Sequence, residues 1–205
     1  MKGTSREAAL FIMVILFASL AIFVTTEPVL KIDLAIEDAV FNTRSTIGVF
    51  ICKALSFIGK WYVYAGVSCV LFLVPKTRFS VGLPVGFTLG IAMVMNKILK
   101  ALLMIQRPDA FRLTKVTGYS FPSGHTMYGT AFISAMTYIL FLKYENEKGR
   151  AALVFCATLF LLAVGFSRVY LGAHHPSDAV GGYLAGMVIL ITIMPFYKRF
   201  NKNAK

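Results

Sequence analysis

Ser167-Arg168-Val169-Tyr170-Leu171-Gly172-Ala173-His174-His175-Pro176-Ser177-Asp178 places an arginine, two histidines and a carboxylate between two long apolar runs, 151–166 and 176–197. At about 1.5 Å of rise per residue, helices of that length approach or reach the ~30 Å of a bilayer core. Charged groups beside such helices are costly, so they tend to mark a function. Pro176 suits the first turn of a new helix. His174 and Asp178 stand one helical turn apart if a helix begins here. A carboxylate that fixes one imidazole tautomer is the logic of an activated histidine. Taken alone, the stretch reads equally as a polar turn joining two membrane helices.

Composition points to the membrane. Hydrophobic residues make up 58% of the 205 and charged residues only 15%, against about 25% charged in a soluble domain. The expected fold is all-α: an integral membrane bundle of six transmembrane helices, with amphipathic interfacial helices after the first span. No linker-like or repeated segment divides residues 1–205, so one domain is expected. The formal net charge of +12 would suggest nucleic acid in a soluble protein. Here the bases sit at the ends of apolar runs, which suits topology and anionic headgroups instead. Membrane lipids, and not nucleic acid, are the expected partners. Cys52, Cys69 and Cys156 lack metal-ligand spacing and read as small buried hydrophobes.

Along the chain, 8–26 is a charge-free apolar run and reads as a first span; a cleaved signal peptide is the alternative. Within 27–60, Ile32, Ile36, Ala39, Val40 and Thr43 share one helical face, with Asp33, Glu37 and Asn42 opposite. Ile47, Phe50, Ile51, Ala54 and Ile58 continue the period. One or two amphipathic helices are expected there, at the membrane surface or packed on the bundle. Further spans are expected over 61–75, starting nearer Phe57, and over 79–105, 125–142, 151–166 and 176–197. The N-terminus (Lys2, Arg6), the turn with Lys76 and Arg78, the 143–150 turn and the basic tail 198–205 then share one side. The positive-inside rule makes that side cytoplasmic, with both termini on it. The polar segments 27–60, 106–122 and 167–175 all fall on the outer side.

Three clusters meet at that outer face. Lys100 and Arg107 lie two helical turns apart and face the same way, and Pro108 ends their helix; snorkelling to the interface is the plain alternative. Phe121-Pro122-Ser123-Gly124-His125-Thr126 opens a span. Ser123 fits an N-cap, and the free N–H groups of a helix start attract anions, phosphate above all. His125 there could donate a proton, or be a surface histidine beside a helix cap. The third cluster is 167–178. Together they assemble cations and donors around a histidine with few carboxylates; Asp109 is the exception, as a partner for Arg107 or Arg112. That balance favours a phosphoryl group bound without a metal ion or other cofactor.

Lys-x6-Arg-Pro at 100–108, Pro-Ser-Gly-His at 122–125 and Ser-Arg-x5-His-x3-Asp at 167–178 resemble, complete and in order, the three signatures of the type-2 phosphatidic acid phosphatase family. Soluble vanadium haloperoxidases share these signatures. The resemblance covers roughly the second half of the chain. It implies a lipid phosphatase with His174 as nucleophile through a phospho-histidine, Asp178 orienting its ring, and His125 protonating the leaving oxygen. It implies that Lys100, Arg107, Arg168, Ser123 and the Gly124 amide hold the phosphoryl oxygens. His175 lies outside the pattern. Lys97, one turn below Lys100, could meet a second phosphate or pair inside the bundle, and Arg112 and Lys115 could attract headgroups or be solvated. The expected activity is metal-independent hydrolysis of a lipid phosphate or diphosphate at the outer face of the cell membrane. Undecaprenyl diphosphate is the leading substrate, with phosphatidylglycerophosphate or phosphatidate as alternatives. A vanadate-dependent peroxidase and a non-hydrolytic lipid-phosphate carrier are the other classes.

Overall fold

The computed structural model describes residues 3–27, 30–108, 112–143 and 145–203, and regular structure among them is entirely helical. Asp109, the expected partner of Arg107 or Arg112, lies outside the described residues. The helices are α1 (Gly3–Thr26), α2 (Lys31–Phe41), α3 (Thr46–Ile58), α4 (Trp61–Leu73), α5 (Leu83–Leu103), α6 (Gly124–Lys143), α7 (Glu147–Tyr170) and α8 (Pro176–Asn203). A π-helical turn, Arg78–Gly82, leads into α5.

Four stretches are long and apolar enough to cross a membrane: Thr4–Thr26, Arg78–Leu103, Glu147–Tyr170 and Pro176–Tyr197. α3 and α4 meet at a 47° bend and make a fifth if they form one broken span. The chain is a multi-pass membrane protein with four to five such spans among the described residues, where six were expected. The difference has two sources. α4 has 13 residues, about 20 Å, and is too short to cross alone. α6 has 20 residues, which is long enough, but Gly, Thr, Ser and Tyr dilute its hydropathy.

The packing around α6 explains how it tolerates that polarity. It lies against α5, α7 and α8, so several of its faces meet protein instead of lipid. Small residues set the approach: Thr126, Gly129, Thr130, Ala131 and Ala135 are buried on α6. Membrane helices associate closely where such residues meet. A Cβ on Gly182 of α8 would collide with Thr126 Oγ1 and lie 2.7 Å from the Ser123 carbonyl. Val85 and Leu89 of α5, Met127 and Phe132 of α6, and Ile189 and Ile193 of α8 form the main core. Tyr64 of α4 stacks on Phe132 with ring centroids 4.9 Å apart.

α2 and α3 are two-faced as expected, and it is the polar face of each that packs on the bundle. Asp33 is 1% exposed and Glu37 6%, whereas Ile32 and Ile36 are 65% and 40% exposed. On α3, Cys52 and Ser56 are buried while Ile47, Phe50 and Ile51 are exposed. The physical reason is the solvent. Where the surroundings are apolar, the apolar face turns outward and the polar face packs against polar groups of the bundle. α2 packs on α7 and α8, and α3 packs on α7. The cysteine reading also needs correction: Cys52 is buried, but Cys69 and Cys156 are exposed.

Candidate active site

The turn between α7 and α8 is built by local chemistry. α7 ends at Tyr170, and Gly172 takes φ +64°, a left-handed conformation that side-chain-bearing residues resist. Its N–H reaches the Val169 carbonyl at 2.8 Å, and the Ala173 N–H reaches Arg168 O at 2.9 Å, closing the helix end. Pro176 then opens α8, and Asp178 lies in its first turn. Asp178 Oδ2 accepts the His175 N–H at 2.9 Å. The Asp178 carbonyl accepts the Ser123 N–H at 2.9 Å, which ties the start of α6 to α8.

His174 is 2% exposed and Asp178 1%. His174 Nδ1 lies 3.2 Å from Asp178 Oδ2. Ser120 Oγ donates a hydrogen bond to the same oxygen and lies 3.3 Å from His174 Nδ1. An ionised carboxylate only accepts, so the proton is assigned to Nδ1 and the lone pair to Nε2. Arg107 Nη1 sits 3.0 Å from that Nε2. Burial, followed by the charges of Arg107, Arg168 and Lys100, lowers the His174 pKa well below its ordinary value, so the imidazole is neutral.

Nε2 faces a cavity of about 310 Å³ whose walls include Asn96, Lys100, Arg107, Lys115, His125, Arg168 and His174. Three of its four cations are held by the backbone or by a hydroxyl. Lys100 Nζ donates to the carbonyls of Tyr119 and Ser120, the latter at 2.8 Å. Arg107 donates to Gly118 O at 2.8 Å and Ala173 O at 2.7 Å. Arg168 Nη1 donates to Ser56 Oγ on α3. Three buried polar atoms here lack a partner among the described residues: Ser123 Oγ, His125 Nε2 and Arg168 Nε. Unpaired buried polar atoms are costly and need an explanation. A cation-walled cavity with such atoms beside it has the donor set of an oxyanion site.

Of the eight residues expected from the sequence, Lys100, Arg107, Gly124, His125, Arg168 and His174 line this cavity. Ser123, 0% exposed, and Asp178 are buried beside it. Lys97 is exposed and absent from the walls, whereas Lys115 of the loop is part of them. Several residues escaped the sequence reading. Tyr128 Oη donates to Asn96 Oδ1 at 2.9 Å, and Asn96 Nδ2 donates to Pro122 O at 3.1 Å. An amide inside an apolar run was the available signal. Ser120 and Ser56 carried none, because a lone serine in a loop or helix has no distinctive pattern.

Apolar helices gathered around a cavity walled by cations describe a multi-pass membrane protein with a site suited to an anion. The chain belongs to the PAP2 superfamily, whose family model matches residues 81–202. Phosphatidylglycerophosphatase B of Bacillus subtilis (strain 168) is 29% identical over 198 residues, covering 91% of this chain and 95% of the relative. Undecaprenyl-diphosphatase of Sulfolobus acidocaldarius is 30% identical over 138 residues, 64% of this chain and 62% of that protein. The crystal structure of a transmembrane PAP2-type phosphatidylglycerolphosphate phosphatase from Bacillus subtilis matches with a TM-score of 0.82 at 26% identity, covering 93% of this chain and 96% of that one. The chain is accordingly a membrane phosphatase, a hydrolase of phosphate esters in the lipid phosphatase class.

Proposed function

We propose that the protein removes a phosphate from a membrane lipid through a phospho-histidine on His174, without a metal ion. The observation that carries this reading is the placing of His174, its Nδ1 against Asp178 and its Nε2 beside Arg107, in a cavity walled by Lys100, Arg107 and Arg168. In the first step Nε2 attacks phosphorus. The P–N bond forms as the bond to the lipid oxygen breaks, and His125 gives that oxygen its proton. Arg107 moves its hydrogen bond from Nε2 to a phosphoryl oxygen, which frees the nucleophile. Lys100, Arg107, Arg168, Ser123 and the Gly124 amide hold the charge that spreads over the equatorial oxygens. In the second step water attacks phosphorus, His125 takes its proton, and the P–N bond breaks. Inorganic phosphate leaves and His174 returns to its neutral form.

The relative aligned along nearly its whole length bears the name phosphatidylglycerophosphatase B, which makes phosphatidylglycerophosphate the first candidate substrate. Undecaprenyl diphosphate is the second, favoured by Lys115, a further cation in the wall suited to a second phosphate. Lys97 is exposed and outside the cavity wall, so it lends no support to a second phosphate. By charge distribution the site faces the outside of the cell membrane and both termini face the cytoplasm.

Purified protein assayed for phosphate release against phosphatidylglycerophosphate, undecaprenyl diphosphate, phosphatidate and a lipid A phosphate tests the substrate. The expected result is a preference for one of the first two, unaffected by EDTA. Activity abolished by EDTA and restored by Mg²⁺ overturns the metal-free step. Full phosphate release by His174→Ala overturns the nucleophile, whereas retained lipid binding with no release separates a phosphatase from a carrier.

A further inference from the structure

Outside the cavity, the described residues hold a second cluster of buried titratable groups on the far side of the α7–α8 turn. Asp33 and Glu37 stand one helical turn apart on the inward face of α2. Glu37 Oε1 lies 2.6 Å from His175 Nδ1. Asp33 takes both polar hydrogens of Ser177, its N–H at 2.9 Å and its O–H at 2.6 Å. Carboxylates buried to this degree are expensive and persist only where fully partnered.

Their partners are the point. His175, Pro176 and Ser177 are the three residues that separate His174 from Asp178. The ring of His175 is tied to Glu37 while its N–H is tied to Asp178 Oδ2 at 2.9 Å. Both polar hydrogens of Ser177 end on Asp33. The spacing of the His174–Asp178 pair is therefore set from behind by α2. We infer that Glu37 and Asp33 are positioning residues for the phosphatase reaction, acting through His175 and Ser177 to hold Asp178 against His174. His175 thereby gains a role distinct from that of its neighbour: it is a strut between two carboxylates and never meets the phosphate.

The groups facing His175 are Glu37 and Asp33 from α2 and Asp178 from α8, with Arg44 acting on Glu37. This surround favours the charged imidazole, and a charged donor strengthens its bond to Glu37. Asp38, on the same helix, is exposed and serves as a control for charge alone.

The brace presupposes His174 as nucleophile and Asp178 as its partner, so the test includes both levels. Phosphate release from short-chain phosphatidate in detergent micelles is measured for the parent, Glu37→Gln, Asp33→Asn, His175→Ala, His175→Gln, Asp38→Asn and His174→Ala. Glu37→Gln and Asp33→Asn are expected to lower kcat by about tenfold to a hundredfold, the scale of a small misplacement remote from the chemistry. KM should stay within about twofold, because no substrate contact is lost. His175→Gln, which keeps a donor toward Glu37, should recover most of what His175→Ala loses. The double variant Glu37→Gln/His175→Ala should be no worse than the poorer single one. Asp38→Asn should match the parent.

Parent-like kcat in both Glu37→Gln and Asp33→Asn, with His174→Ala inactive, overturns the brace and leaves the nucleophile standing. Parent-like kcat in His174→Ala overturns the underlying reaction. Where Glu37→Gln does not fold, Ser177→Ala and His175→Gln carry the test. Ser177→Ala removes only the hydroxyl bond to Asp33, and kcat unchanged in Ser177→Ala with no difference between His175→Gln and His175→Ala overturns the proposal. A loss of kcat fully matched by a loss of folded protein, read from the thermal melt, also overturns it.

Discussion

Replacing Asp178 by asparagine isolates what the carboxylate does for the reaction. The side chains are nearly the same size, and an amide oxygen in the Oδ2 position can still accept from His174 Nδ1, His175 N and Ser120 Oγ. What disappears is the negative charge. In the proposed first step His174 forms a bond to phosphorus while keeping its Nδ1 proton, so the ring gains positive charge next to Asp178. For charges 3.2 Å apart, at the effective dielectric of about 20 that suits protein sites, the attraction is about 5 kcal/mol. At about 1.4 kcal/mol per decade that is a loss of about 10³- to 10⁴-fold in kcat. Single-turnover phosphate release, with saturating substrate, measures the chemical step directly. A thermal melt of the same sample establishes that the variant is folded. A folded Asp178→Asn protein that loses less than about tenfold would refute the charge argument and leave the carboxylate only a structural anchor.

Three other perturbations follow from the geometry. Arg107→Lys replaces a planar fork that donates to Gly118 O, Ala173 O and His174 Nε2 by a single ammonium; kcat/KM should fall by about 100-fold, and parent-like kinetics would show that the fork is dispensable. Gly182→Val drives a side chain into Thr126 and the Ser123 carbonyl; overpacking costs about 1–3 kcal/mol or more, read as a lower melting temperature or loss of monodisperse protein. For His175, burial opposes the charged ring, but the Glu37 hydrogen bond and the charges of Asp178, Glu37 and Asp33 outweigh it and raise its pKa above the ordinary 6.5. A raised folded-state pKa stabilises the fold fully below about pH 6.5 and the contribution fades as pH rises through the folded value. The melting temperature should therefore decline above neutrality, and the decline should be shallower in Glu37→Gln; an identical pH dependence in both proteins would contradict this.

The legible and illegible parts of this chain divide along a physical line. Motifs with fixed spacing could be read in part: His174 and Asp178, four apart, meet where α8 begins. The shared helical face expected for Lys100 and Arg107, with Pro108 ending the helix, is not what brings them together: α5 ends at Leu103, Met104 turns left-handed at φ 50°, and Arg107 reaches the cavity from the segment that follows. The apolar lengths of α1, α5, α7 and α8 announced themselves in the same way. The helix expected over 125–142 is α6, Gly124–Lys143; the α3–α4 pair was harder, because length does not register a span broken by a 47° bend. The spacing within 27–60 showed two-faced helices but left open whether they lie at the membrane surface or pack on the bundle. In the structure Asp33, Glu37 and Ser56 point inward, since the bundle's polar site is where they find partners. Ser120 could not be read at all. Its hydroxyl bridges His174 and Asp178 only because Ser120 returns to the end of α5, its N–H on Ile105 O at 2.7 Å.

The proposed reaction transfers the phosphoryl group to His174. An activated aryl phosphate needs no proton on its leaving group, so the first step should survive His125→Ala while the second, which needs a base for water, stalls. The His125→Ala protein is mixed with that substrate, quenched in alkali, where phospho-histidine persists, and its peptides are mapped by mass spectrometry. One phosphoryl group on His174, absent from His175 and absent in a His125→Ala/His174→Ala protein, is the predicted result. A phosphoryl group on His175, or aryl phosphate turnover that survives the loss of His174, would contradict it.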